Sequence, residues 1–316
     1  MTTTTLAPDA VSPVPASAVS PTAVPRDTSA GRRAPSMLPA TLMVLGSCTS
    51  LQVGAALATR LFPATGAPGA TLLRLGLAAC ALLAVSRPRM KSWTRAQWRA
   101  VLLFAVTLAG MNGFFYAALA RIPLGVAVTI EFLGPLTLSV VLSRRVRELG
   151  WVLLALVGVV TLGWTGESGS GASLDIVGIV FVLIAAVFWA LYILAGARAS
   201  AAVPGTGGLA VAMAMAAILL APSGIRGATH VVDRPSLLLV ALGTALMASV
   251  VPYSLEFAAL RRLPKRTFGI LLSLEPAVAT LAGWLVLSQS VGPLAIVAIL
   301  AVVAASVGST LASAAA

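Results

Sequence analysis

Three carboxylic acids fall inside long apolar runs of this chain, each close to a proline: Glu131 with Pro135, Glu256 with Pro252, and Glu275 with Pro276. A charge at the centre of a membrane-spanning helix costs about 2.5–3.5 kcal/mol on insertion scales, so such acids face a cavity or a partner rather than lipid. Pro135 carries no N–H, which leaves the carbonyl of Glu131, one turn earlier, without its helical donor. A carboxyl and a free carbonyl at one kink can hold a proton, a substrate ammonium or a water. The alternative is a protonated Glu131 bonded to a neighbouring helix. Glu275 directly precedes Pro276 and either shares that chemistry or only shapes the kink. Glu256 precedes Arg261 and Arg262 and either pairs with one of them as a gate or rests in interfacial water.

Other polar groups fall on shared faces. Ser249, Tyr253 and Glu256 follow one another at spacings of four and three, one side of a helix bent by Pro252. Asn112 and Tyr116 share a face of one run, Trp189 and Tyr192 share a face of another, and Gln52 lies midway along the first. Each alone is as readily helix-to-helix glue as a ligand contact. Together they supply amide, hydroxyl and aromatic groups suited to a small zwitterion. Arg74, inside the second run, has three readings: it binds a substrate carboxylate, snorkels outward, or neutralises Glu131. Gly46, Ser50, Gly54 and Ala58 repeat every four residues, a small-residue stripe read as helix packing.

Enzyme chemistry finds little to work with. The chain has one histidine, His230, in a connection, and two cysteines, Cys48 and Cys80, both in apolar runs. That leaves no nucleophile with a base, no metal-ligand cluster and no disulfide framework. No Walker-type phosphate loop is present, so direct use of ATP is not expected, and neither a metal nor another cofactor is.

The elements that must position these groups are helices in lipid. The 316 residues are 59% hydrophobic and only 9% charged, whereas a soluble domain carries about a quarter charged residues. Mean hydropathy is +1.01. Residues 1–36 are rich in Thr, Pro, Ala and Ser, with no apolar core long enough for a signal peptide, and read as a disordered cytoplasmic tail. Beyond them, apolar runs alternate with short polar punctuation at 38–59, 68–87, 100–119, 123–143, 149–165, 174–197, 207–222, 235–259, 267–288 and 293–312. Their lengths suit helices crossing a hydrocarbon layer of roughly 30 Å. Only helices or closed barrels satisfy the backbone there.

The net charge of +12 does not indicate nucleic acid, because the basic residues cluster between the runs and so set orientation. Sixteen of the 21 Lys and Arg residues fall in the tail and the even-numbered connections. Arg60, Arg121, Arg226 and Arg234 fall on the other side, and Arg74 lies within a span. The split predicts a multi-pass protein of a bacterial-type inner (plasma) membrane with both termini in the cytoplasm.

One phrase also occurs twice. Ala117-Ala118-Leu119-Ala120-Arg121-Ile122-Pro123 precedes Gly134-Pro135, and Ala258-Ala259-Leu260-Arg261-Arg262-Leu263-Pro264 precedes Glu275-Pro276, with the two prolines twelve residues apart in both copies. Duplication with five spans per half inverts the second half. The expected fold is therefore an all-α integral membrane protein with ten transmembrane helices in two inverted-topology five-helix repeats, residues 37–166 and 173–313. Aligning the prolines sets Glu131 opposite Leu272, one turn from Glu275, so the copies carry unequal chemistry.

The stretches Ile122-Pro123-Leu124-Gly125-Val126-Ala127-Val128-Thr129-Ile130-Glu131-Phe132-Leu133-Gly134-Pro135-Leu136, Pro252-Tyr253-Ser254-Leu255-Glu256 and Leu263-Pro264-Lys265-Arg266-Thr267-Phe268-Gly269 resemble the EamA-type branch of the drug/metabolite transporter superfamily. Within it they are most similar to threonine and homoserine exporters, over roughly residues 40–312. The chain departs at Ser288-Gln289-Ser290, where many relatives carry an acidic residue. The resemblance implies a secondary exporter of a small amino acid, coupled to protons and working by alternating access. Its site would lie near the midplane between the third, fourth, eighth and ninth spans, with Glu131 as the coupling carboxyl. Its partners would be that substrate, protons and lipid. Export of another metabolite or drug is the alternative, and a non-transporting membrane scaffold a remoter one.

Overall fold

A computed structural model describes residues 38–143, 149–165, 175–232, 234–260 and 262–314. Among the described residues the chain forms helices and no strands. The helices are α1 (Leu38–Thr59), α2 (Phe62–Ser86), α3 (Arg95–Leu119), α4 (Leu124–Glu131), α5 (Leu133–Ser143), α6 (Leu149–Thr165) and α7 (Ile176–Ala202). They continue with α8 (Gly207–Thr229), α9 (Pro235–Ala245), α10 (Val251–Leu260), α11 (Lys265–Leu272), α12 (Glu275–Leu287) and α13 (Pro293–Ala314). Among the described residues, nine helical segments are long and apolar enough to cross a membrane. In the fifth predicted run the apolar stretch, Leu149–Thr161, is shorter than these.

Several edges differ from the sequence reading for local reasons. The third helix begins at Arg95 because Thr94 and Gln97 form a reciprocal capping box, so Arg95 and Arg99 lie in the helix. The second begins at Phe62, before a break at Gly66, whose φ of 66° only glycine adopts freely. The eighth helix runs through Pro222 to Thr229. The tail at 1–36, Arg261 and the arginines at 144, 145 and 147 lie outside the described residues.

The interior is built from small side chains and the exterior from large ones. Ala56, Ala58, Ala70, Ala105, Ala127 and Ala212 are fully buried, while Leu103, Val157, Val187 and Leu239 are exposed. This distribution suits close packing between helices with an apolar outer face for lipid. The predicted packing stripe on α1 does this work: a Cβ on Gly54 would come within 2.5 Å of the Ala248 backbone nitrogen.

The repeated phrase folds the same way twice. Ile122 N–H donates to Ala118 and Leu263 N–H to Ala259, both at 2.9 Å. Pro123 and Pro264 then start helices of eight residues, α4 and α11. These end at Phe132 (φ −62°, ψ −17°) and Ser273 (φ −62°, ψ −14°) before the chain resumes as α5 and α12. Helix contacts also come in matched sets: α3 packs on α7 as α10 packs on α1, α5 on α7 as α12 on α1, and α2 pairs with α8 and α6 with α13.

Candidate functional site

The broken helices surround a central cavity of about 400 Å³. Its wall includes Gln52, Arg74, Asn112, Glu131, Trp189, Tyr192, Tyr253, Glu256 and Glu275, with Pro135 and Pro252 at two of the breaks. All of these were singled out from the sequence. The wall draws on α1, α2, α7 and α13 as well as the four predicted spans. Tyr116 was expected at the site but does not line the cavity, and Pro276, expected only as a helix break, stands at the start of α12. Tyr116 is fully buried behind Arg74, where its ring lies 5.2 Å from the guanidinium.

Arg74 is held by a cage of acceptors. Its Nε donates to Ser249 Oγ (3.2 Å), Nη1 to Asn112 Oδ1 (2.9 Å) and Tyr116 OH (3.0 Å), and Nη2 to the Ala248 carbonyl (2.7 Å). The last acceptor exists because of a local defect. A π-helical turn, Leu246–Val250, separates α9 from α10. Val251 N–H is committed to Leu246 O, which leaves Met247 without its ordinary donor. Pro252 has no N–H at all, which leaves Ala248 without one. Ser50 Oγ satisfies Met247 at 2.7 Å and Arg74 satisfies Ala248. Arg74 therefore does not snorkel, and among the described residues no carboxylate lies within ion-pair distance of it. Four of its five N–H donors are engaged, so one remains for a ligand.

The three acids are held differently. Glu275 opens α12 and accepts from Gln52 Nε2 at 3.0 Å. The Gln52 Oε1 on the same amide is buried without a partner. Glu256 accepts from Ser47 Oγ at 2.7 Å. The expected pairing of Glu256 with a base is not formed with Arg262, whose Nη1 instead approaches Met43 Sδ at 3.7 Å, and Arg261 lies outside the described residues. Glu131 ends α4, is 7% exposed, and its carboxyl makes no hydrogen bond or ion pair among the described residues. A bond to a neighbouring helix, the plainer expectation for it, is not formed.

The copies diverge most sharply one residue before the second proline. Gly134 stands where the other copy has Glu275. A Cβ on Gly134 would strike the Ala186 carbonyl of α7, whereas Glu275 reaches Gln52 of α1. One half uses the position for contact, the other for a carboxyl.

The EamA-like transporter family matches residues 176–311, the half that carries the second copy of the phrase. The similarity of whole chains extends through both halves. The threonine/homoserine exporter RhtA of Escherichia coli K12 is 39% identical over 280 residues, 89% of this chain and 94% of that one. Its namesake in Salmonella typhimurium LT2 is 41% identical over the same shares. The chain belongs to the EamA-like transporter family. A crystal structure 20% identical to it, covering 89% of this chain and 99% of its own with a TM-score of 0.58, shares the fold. Membership of a transporter family, with relatives named as exporters, also answers the enzyme alternative.

Some cavity-lining residues escaped the sequence reading. Ser306, Ser309 and Thr310 line the cavity from α13, where their spacing of three and one is a polar stripe legible in principle. Ser47, the partner of Glu256, carried no such signal, since a lone serine in an apolar helix is usually bonded to its own backbone.

Proposed function

We propose that the chain exports small amino acids of the threonine and homoserine type, exchanging them for protons by alternating access. The names of its relatives support the substrate class. The observation that carries the mechanism is the charge inventory of the cavity. Three carboxyls face one guanidinium, and one of the carboxyls, Glu131, has no partner among the described residues. Buried charge without compensation is costly, so the wall calls for a cation. A proton or a substrate ammonium can fill that need at Glu131, but not both at once. Mutual exclusion at one carboxyl is the simplest coupling of export to proton entry. The free donor of Arg74 and the unpartnered Gln52 Oε1 suit the carboxylate and ammonium of a zwitterion respectively.

In this reading ten spans form two inverted repeats that rock about the site, with both termini in the cytoplasm and the protein in the plasma membrane. The matched helix contacts and the twice-folded phrase support the repeat. The charge split supports the orientation. A second reading, export of a larger metabolite, draws on the rings of Phe115, Phe132, Trp189, Tyr192 and Tyr253 along the wall. Cells loaded with labelled threonine or homoserine, and challenged with aromatic amino acids and uncharged metabolites as competitors, separate the two. Efflux of neither labelled amino acid from the parent would remove the substrate assignment.

A further inference from the structure

The two halves meet differently at the two ends of the cavity. At one end α4 packs on α12. A Cβ on Gly125 would strike Thr280, and a Cβ on Gly283 would lie 2.6 Å from Gln289 Oε1 and 3.7 Å from Leu124 Cβ. Across this seam Gln289 Oε1 accepts the N–H of Leu124 at 3.1 Å. Leu124 is the first residue of α4, and Pro123 offers it no side-chain cap. Gln289 therefore caps α4 from the other half of the molecule. Arg60 Nη2 adds a bond to the Val286 carbonyl at the end of α12, also 3.1 Å. None of Leu124, Gly125, Thr280 and Gly283 lines the central cavity.

The counterparts by proline alignment, α5 and α11, form no comparable seam among the described residues. The cavity runs between them, past Leu136 and Ser139 on one and Gly269 and Leu272 on the other. The charge split assigns the two ends. α4 starts and α12 ends away from the basic clusters, whereas α5 runs towards Arg144, Arg145 and Arg147, and α11 starts at Lys265 and Arg266.

We propose that the α4–α12 seam is the external gate of this transporter, latched by Gln289, and that the structure is its cytoplasm-facing, substrate-loading state. The proposal rests on the exporter reading above. Gln289 acts as a positioning residue: it does not line the cavity but holds the start of the half-helix that ends in Glu131. Parting the seam would free α4, so opening to the outside and movement of the coupling carboxyl become one event.

A disulfide tests the gate. In a Cys48→Ala, Cys80→Ala background, Leu124→Cys with Gly283→Cys sets two Cβ atoms near the roughly 3.8 Å that a disulfide favours, the covalent bond taking over from Gln289, whose Oε1 the new Cβ displaces. Oxidation should cross-link the pair and lower labelled-threonine efflux about tenfold, with recovery on reduction. Failure to cross-link, or full cross-linking with undiminished efflux, would overturn the gate. The latch is read without substrate. In the same cysteine-free background carrying Val128→Cys as a cavity reporter, Gln289→Leu should raise labelling by an external, membrane-impermeant maleimide several-fold. Unchanged labelling in folded protein would overturn the latch. A parent that exports neither amino acid, yet cross-links and gains external labelling with Gln289→Leu, would fault the substrate and leave the gate standing.

Discussion

Arg74 donates to the carbonyl of Ala248, the one backbone acceptor that Pro252 deprives of its helical partner. A helix defect and a buried cation thus satisfy each other, and neither is stable in that form alone. Arg74→Lys keeps the charge but cannot serve four acceptors at once, since an ammonium has three donors and no planar fork. The variant should lose about tenfold or more in export and roughly 2–4 kcal/mol in stability, read as a lowered Tm in detergent. Pro252→Ala restores an N–H that competes for Ala248, and it should weaken export in the same direction.

Gly54 brings α1 against that same π turn, its missing Cβ leaving room for the Ala248 nitrogen. Gly54→Ala should therefore push on backbone that cannot yield, costing about 1–3 kcal/mol and part of the transport rate. Gly76, with nothing within 4 Å of its would-be Cβ, is the control. Gly76→Ala should leave Tm and efflux at the parent's values. Equal losses in both variants would mean that the α1 contact has no special weight.

Gln52 and Glu275 join the first helix to the second broken helix by a buried bond of 3.0 Å. Gln52→Leu leaves Glu275 without that donor and should reduce export more than Glu275→Gln, which still lets two amides bond. A double-mutant cycle on threonine efflux should give a coupling of about 1–2 kcal/mol. Strict additivity would show that the two residues act independently.

Asp175 caps α7 and holds Arg121 at 2.7 Å on the face opposite the basic clusters. The Arg121 hydrogen bond, helped by the N–H groups of Val177 and Gly178, keeps the Asp175 carboxyl below its ordinary range. A depressed carboxylate contributes above its unfolded pKa of about 3.9 and loses that contribution only as pH falls through the lower folded value. Asp175 is therefore ionised throughout the working range. Asp175→Asn, which retains a capping oxygen, should leave the pH profile of export unchanged between about pH 5.5 and 8. A shifted profile would bring Asp175 into the coupling.

Much of the cavity wall was legible in the sequence because lipid makes polar residues conspicuous. Glu131, Gln52 and Asn112 stand out in apolar runs, and the prolines mark where backbone groups come free. The offset of Glu131 from Glu275, read from aligned prolines, matches two eight-residue half-helices that end at Glu131 and Leu272. What the sequence hid depended on geometry between helices. The acceptors of Arg74 include a carbonyl freed by a π turn, which no residue type announces. The expected partner of Glu256 was a charged residue nearby in sequence, but Ser47 reaches it from the packed helix α1, 209 residues away in the chain. Gln289, noted only as a departure at a helix end, turned out to bridge the two halves.

In the proposed mechanism Glu131 alternates between a proton and a substrate ammonium. Its most direct test is threonine efflux from loaded vesicles under an imposed gradient, acid outside, comparing the parent with Glu131→Gln. The parent should speed up as the gradient grows. Glu131→Gln should retain at most a slow efflux that ignores the gradient. A Glu131→Gln protein that responds to the gradient as the parent does would contradict the account.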